Sequence, residues 1–286
     1  MSTDPSFTYK TLYEDFPPVL SLESDKSRCT IALHGAQVLS FIPKGGKDML
    51  WVSQKAVYQT GKAIRGGIPI CWPWFGAHPA DDAKPSHGFA RISPWQVVAT
   101  GTEGESPFAL LRLESNDATR SLFDYDFLLE LKVVAGESLT LSLTTTNRDS
   151  RPFEITEALH SYFGIGNISG VRIEGLDGKT YIDQLQANRL DRQSGDVQFE
   201  AEVDRIYDHG GTCTIRSPLG SRTVTPIGSK STVVWNPWIE KAIRLSDFGD
   251  EEYKTMVCVE TANAGSEMIR LAPGKSHTVG VTIKEL

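Results

Sequence analysis

Arginine, histidine, aspartate, glutamate and aromatic side chains crowd together at seven places in this 286-residue chain. Three such islands lie early: Ile64-Arg65-Gly66-Gly67-Ile68-Pro69, Cys71-Trp72-Pro73-Trp74-Phe75-Gly76 and His87-Gly88-Phe89-Ala90-Arg91. The later ones are Glu157-Ala158-Leu159-His160-Ser161-Tyr162-Phe163, Asp204-Arg205-Ile206-Tyr207, Val234-Trp235-Asn236-Pro237-Trp238 and Val259-Glu260-Thr261-Ala262-Asn263. Aromatics beside isolated charged groups suit a carbohydrate, whose ring has apolar faces that stack and hydroxyls that need carboxylate and amide partners. Core packing accounts for tryptophan and tyrosine equally well at this stage. Other chemistries lack their signatures: the chain has no phosphate-binding Gly-x-x-x-x-Gly-Lys-Ser/Thr, no dinucleotide Gly-x-Gly-x-x-Gly, no Gly-x-Ser-x-Gly and no His-Glu-x-x-His.

The elements that must position these islands read as strands. Phe123, Tyr125, Phe127, Leu129, Leu131 and Val133 alternate with polar residues, a period-two pattern predicting one half-buried strand. A turn at Gly136-Glu137 and a second alternation through Leu139, Leu141 and Leu143 complete a hairpin. Val279, Val281 and Ile283 repeat the pattern after Pro273-Gly274. Shorter strands are predicted at 30–39, 95–100, 108–113, 197–203, 213–215 and 256–259. Few windows carry a helical period, so the expectation is one all-β domain built as an antiparallel sandwich. Residues 77–86, with Pro79, Asp81, Asp82 and Pro85, form the most loop-like stretch, expected to shape a site rather than to divide domains.

Composition narrows the class. The formal net charge of −7 argues against nucleic acid as a partner. No apolar run reaches the length of a membrane span, and the start has no basic and apolar leader pattern. Cys29, Cys71, Cys213 and Cys258 are widely spaced, which fits reduced thiols in a cytoplasm and no zinc site. His78 and His87 lack a carboxylate at ligand spacing, so no metal is expected. His34, His209 and His277 have no partner pattern and are expected in structural or surface roles.

From about Leu20 to the C-terminus, the Arg65, His87–Arg91, Glu157–His160, Asp204 and Glu260 islands stand in an order that resembles the glucose-6-phosphate 1-epimerases. These are hexose-phosphate mutarotases of the galactose-mutarotase-like superfamily. The resemblance implies an antiparallel β-supersandwich that interconverts the α and β anomers of a hexose 6-phosphate without a cofactor. It implies Glu260 as base at the C1 hydroxyl and His160 as acid at the ring oxygen, roles that can be exchanged between them. Each such positioned group contributes about 10²–10⁴-fold. The neighbours Cys258, Val259 and Ala262 point to burial of Glu260, which would raise its pKa towards neutrality.

The resemblance also implies Arg65 and Arg91 as phosphate ligands, since a guanidinium pairs with phosphate through parallel hydrogen bonds. Lys44, Lys47 and Lys62 are possible helpers that nothing singles out. His87 is implied as a sugar contact near the reacting centre, and Asp204 as acceptor for ring hydroxyls. Trp72, Trp74 and Phe75 are candidates for the pocket wall, with core packing expected for at least one of them. Tyr162, Trp235 and Trp238 are assigned to the core or to positions behind the site. The partner is then a small sugar phosphate bound by a monomer. Two alternatives keep part of this set: a non-catalytic sugar-phosphate binder, which has no need of His160 with Glu260, and a free-aldose mutarotase, which has no need of Arg65 and Arg91. A metal-dependent isomerase is a more distant alternative, tested by a chelator.

Overall fold

Two eight-stranded antiparallel sheets and a four-stranded one make up most of the protein, in a computed structural model that describes residues 5–286. The hairpin expected from the alternation is present. Phe127–Ala135 and Leu139–Asn147 pair along their whole length, Leu131 opposite Leu143 and Val133 opposite Leu141. Their alternate residues are buried while Glu130, Lys132, Thr140 and Ser142 are partly exposed, so this sheet keeps one wet face. Strand Ser276–Glu285 adds to Leu139–Asn147, and Ser106–Glu114 and Gln96–Glu103 extend the other side.

The second large sheet has a different pattern. Its central strands Ser231–Asn236 and Met256–Asn263 are buried at every position. Both faces are therefore covered. Val234, Val257 and Val259 join one apolar cluster with Leu129, Leu141 and Ile283 of the other sheet and Leu20, Ile31 and Phe41 of the four-stranded sheet. The alternate residues Val233, Trp235, Cys258 and Ala262 face the opposite way, into two smaller apolar clusters. Glu260, paired in register with Val233, belongs to that opposite side. It is a charged residue on a face that is otherwise apolar.

The structure corrects three expected strands. The strand predicted from Phe123 begins at Phe127, because Asp117–Leu122 is a helix capped reciprocally by Asn116 and Thr119. Phe123 and Tyr125 still turn inward and pack on Phe153. Residues 30–39 break into Ser27–Ala32 and Gln37–Pro43. Gly35 and Ala36 have φ of 74° and 47° there, and a Cβ on Gly35 would lie 2.5 Å from the Arg91 carbonyl. That close approach requires glycine. Residues 197–203 make only one bridge, Val197 to Ile173, and the strand starts at Val203. Loop 77–86 carries no strand or helix, as expected.

Trp72 is fully buried, with its indole N–H donating to Thr145 Oγ1 at 3.0 Å and its ring against Phe89, Phe123 and Phe127. It ties the two large sheets together. Trp72→Ala should lower the unfolding free energy by about 3–5 kcal/mol in urea denaturation. A loss below about 1 kcal/mol would contradict this core role.

Candidate active site

Six of the implied residues, Arg65, His87, Arg91, His160, Asp204 and Glu260, line one cleft of about 420 Å³ over the buried face of the second sheet. Phe75 walls it, as expected. Trp72 does not, being committed to the core. Trp74 also turns away, with its N–H bonded to the Pro85 carbonyl at 2.9 Å and its ring against His78 and Phe89. Successive residues after the short strand Ile70–Cys71 point in different directions, so a run of aromatics cannot all face one pocket. Trp235, expected in the core or behind the site, lines the cleft instead, as do Gln184 and Lys241, which the sequence does not single out. Lys44, Lys47 and Lys62 are not part of it.

The acid–base pair is brought together by strand pairing. Glu157–Leu159 and Tyr162–Gly164 both run antiparallel to Met256–Asn263, leaving His160 over the strand that carries Glu260. His160 Nε2 lies 3.3 Å from Glu260 Oε1, and their side chains are 10% and 1% exposed. His160 Nδ1 and Glu260 Oε2 are buried without a protein partner among the described residues. Burial pushes the Glu260 carboxyl well above the usual carboxylate range, with the charge of Asp204 adding and Arg91 opposing. Burial pushes the His160 imidazole down, and Arg91 and Arg65 push it the same way. Uncharged forms are thus favoured on both partners.

Cys258, two residues before Glu260, brings its sulfur within 4.8 Å of the donor atoms of this pair. Burial raises its thiol pKa far above the ordinary range, and it packs with Tyr162, Trp235 and Phe248. It is fully buried behind the pair and does not line the cleft.

His87 is held by the backbone in the left-handed region, with φ of 61°. Its amide donates to the Gly76 carbonyl at 2.6 Å, and the Gly76 amide donates to its ring Nδ1 at 3.2 Å. A nitrogen that accepts carries no hydrogen, so Nε2 is the N–H of the neutral ring. Burial, then Arg91 and His160, push the His87 pKa well down. His87 therefore offers a fixed hydrogen-bond donor and does not act as a proton reservoir.

The charged residues differ in what already occupies them. Arg65 follows Ile64 into Gly66 and Gly67, where a Cβ would lie 2.4 Å from Val52 Cα and 2.2 Å from the Val38 carbonyl oxygen respectively. Its guanidinium holds Asp247 with a fork, Nε to Oδ2 at 3.2 Å and Nη2 to Oδ1 at 3.1 Å. Lys241, on helix Trp238–Arg244, lies 3.0 Å from Glu202 and 3.6 Å from Asp204. Asp204 also accepts from the Gln184 amide, and burial raises its pKa against the pull of Lys241. Arg91 makes no carboxylate contact among the described residues. Its Nη2 donates to the Ser86 carbonyl at 2.9 Å and its buried Nε has no partner.

The fold is shared with mutarotase-type proteins. A Salmonella typhimurium protein described as a "putative mutarotase" superposes with a TM-score of 0.91 at 31% identity, covering 98% of this chain and 93% of that one. A galactose mutarotase-like protein from Lactobacillus casei shares the fold at TM-score 0.74 and 16% identity, covering 94% of this chain and 100% of the other. The family profile of aldose 1-epimerase matches residues 18–284, and the chain belongs to that family, an enzyme of the isomerase class. A protein of Cenchrus ciliaris named "Putative glucose-6-phosphate 1-epimerase" is 39% identical over 270 residues, 86% of this chain and 77% of its own. One of that name from Salmonella typhimurium is 34% identical over 88% of each chain.

The hydrogen bond from the Gly76 amide predicts that nitrogen NMR will find His87 as the neutral Nε2–H form through the range around pH 6.5 in which a free imidazole protonates. Observation of the Nδ1–H form, or of protonation near pH 6.5 as in a free imidazole, would contradict the geometry.

Proposed function

We propose that the cleft binds a hexose 6-phosphate, D-glucose 6-phosphate first among them, and interconverts its α and β anomers without a cofactor. The observation that carries this is the buried His160–Glu260 pair at 3.3 Å facing a cleft that also holds an arginine, Arg91, with no carboxylate partner among the described residues. The names of the relatives agree with it.

Ring opening needs a base at the C1 hydroxyl and an acid at the ring oxygen. A Glu260 carboxylate with an imidazolium at His160 supplies both. After the step Glu260 carries the proton from C1 and His160 is neutral, which is the uncharged state that burial favours. Rotation about C1–C2 exposes the other face of the aldehyde, and reclosure returns both protons. The pair ends as it began, so no proton need pass through solvent between opening and closure. Because the two groups share their protons, the pH limits of catalysis belong to the pair.

The phosphate end is set by charge that remains unpaired. Asp247 offsets Arg65, and Glu202 with Asp204 offsets Lys241. Arg91 is left to bring net positive charge to the cleft, and Arg65 contributes mainly direction. His87 Nε2–H and Asp204 take sugar hydroxyls, and Phe75 and Trp235 cover the ring. We read the chain as a single domain acting as a monomer. Four buried, unpaired cysteines suit a reducing compartment such as the cytoplasm. Among the described residues no helix is long and apolar enough to cross a membrane.

Exchange NMR on equilibrated glucose 6-phosphate, with free glucose and galactose alongside and excess chelator present, tests this reading. The phosphorylated sugar should exchange faster than either free sugar. Preference for free sugars would remove the phosphate role, and abolition by the chelator would point to a metal. His160→Ala and Glu260→Gln should each lower kcat by about 10²–10⁴-fold in folded protein. Arg91→Ala should cut the preference for the phosphorylated sugar more than Arg65→Ala does; equal losses for free glucose would contradict the assignment. Asp204→Asn removes a negative charge that holds protons on the pair, so both limbs of the pH–rate profile should move to lower pH. Unmoved limbs would show that Asp204 does not act on the pair.

A further inference from the structure

Tyr162 touches both ends of the proposed chemistry without lining the cleft. It is 2% exposed. Its ring lies 4.8 Å from the His160 imidazole at an interplanar angle of 15°, a stack. Trp51 lies nearly parallel to it as well, 5.8 Å away at 19°. At the far end of the same ring, the phenol oxygen accepts from Arg65 Nη1 at 3.2 Å.

The backbones are laced in the same way. The His160 amide donates to the Pro69 carbonyl at 3.0 Å and the Tyr162 amide to the Gly67 carbonyl at 2.9 Å. The Gly67 amide donates to Trp51 at 2.7 Å, and the Trp51 amide donates to Tyr162 at 3.1 Å. The segment that carries Arg65 and the segment that carries His160 are thus one hydrogen-bonded unit. Arg65 has five N–H donors; Asp247 takes two and Tyr162 one, leaving two to meet a ligand. An anion that draws on those two must pull against Asp247 and Tyr162 together. The His160 ring cannot tilt freely either, because tilting gives up its stack on Tyr162.

We propose that Tyr162, held with Asp247 around the Arg65 guanidinium, is a positioning residue that couples engagement of the substrate's phosphate to the orientation of the His160 imidazole. This rests on the reading of the cleft as a hexose-phosphate site. The phenol takes no proton from substrate and touches no reacting atom. It turns a contact at the anionic end into a better-placed acid at the ring oxygen. Free sugar, which lacks the phosphate, gains nothing from the hydroxyl but still depends on the stack.

Two substitutions at one position separate the two functions of the ring. Tyr162→Phe keeps the stack and removes the hydroxyl. It should lower kcat for glucose 6-phosphate about tenfold, the size of a lost hydrogen bond to a charged group, and change kcat for free glucose less than about twofold. Its preference for the phosphate over free glucose should fall mainly through kcat. Asp247→Asn, which breaks the fork from the other side, should show the same split. Tyr162→Leu removes the stack and should lower kcat for both sugars; if it fails to fold, the Phe and Asn variants carry the test. A readout independent of turnover is the NMR signal of the His160 ring on addition of inorganic phosphate, expected to shift in the wild type and to stay still in Tyr162→Phe. Wild-type kinetics in Tyr162→Phe, or a His160 shift that persists in it, would overturn the coupling. If the wild-type protein did not accelerate glucose 6-phosphate at all, the reading of the site would fall, and the phosphate-induced shift would still decide the coupling.

Discussion

Burying one carboxylate governs the rest of this structure. Glu260 sits on a strand with no exposed position, and removing an ionised carboxylate from water costs several kcal/mol unless a partner compensates. His160 is the partner within reach, at 3.3 Å, and the fold is arranged to deliver it. Two short strands flank His160 on one side of the Glu260 strand, and the Pro69 carbonyl fixes its backbone. The neutral proton arrangement that burial favours is also the state the pair would occupy midway through ring opening. The energetic constraint and the proposed chemistry therefore select the same arrangement.

Charge in the cleft follows a second rule: cations are offset unless they are needed as charges. The protein carries a net −7, so a phosphate must be drawn in by a local feature. Arg65 and Lys241 are each paired with carboxylates, which fixes their directions and cancels much of their field. Among the described residues Arg91 is held by a carbonyl and by no carboxylate, and the turn at Gly35 packs directly on its backbone. A cation without a carboxylate partner but with a rigid backbone gives both attraction and position.

Much of this was legible in the residues, for physical reasons that also explain the gaps. Period-two alternation marks strands with one wet face, so the 127–135 and 139–147 hairpin was readable. Strands buried on both faces show no alternation, and the strand expected at 256–259 runs four residues further, to Asn263. Composition marked only the islands, as charged groups amid aromatic and glycine-rich runs; Arg65, His87, Arg91, His160, Asp204 and Glu260 were picked out within them by resemblance to a family. Trp72 and Trp74 could not be told from Phe75, since orientation within an aromatic run depends on turns that composition does not encode. Gln184 is neutral, in a loop, and without a spacing signal. Trp235 faces the cleft because it lies in register with Asp204, a pairing known only from the sheet. Lys241 and Asp247 are single charges on a surface rich in them, and only their distances to Asp204 and Arg65 distinguish them.

The most direct test of the central claim is a crystal structure of the Glu260→Gln protein with glucose 6-phosphate bound. The account predicts O1 against residue 260, the ring oxygen within hydrogen-bond distance of His160, and the phosphate on Arg91. A sugar bound with its phosphate at the His160 end, or with neither ring oxygen nor O1 near the pair, would contradict it.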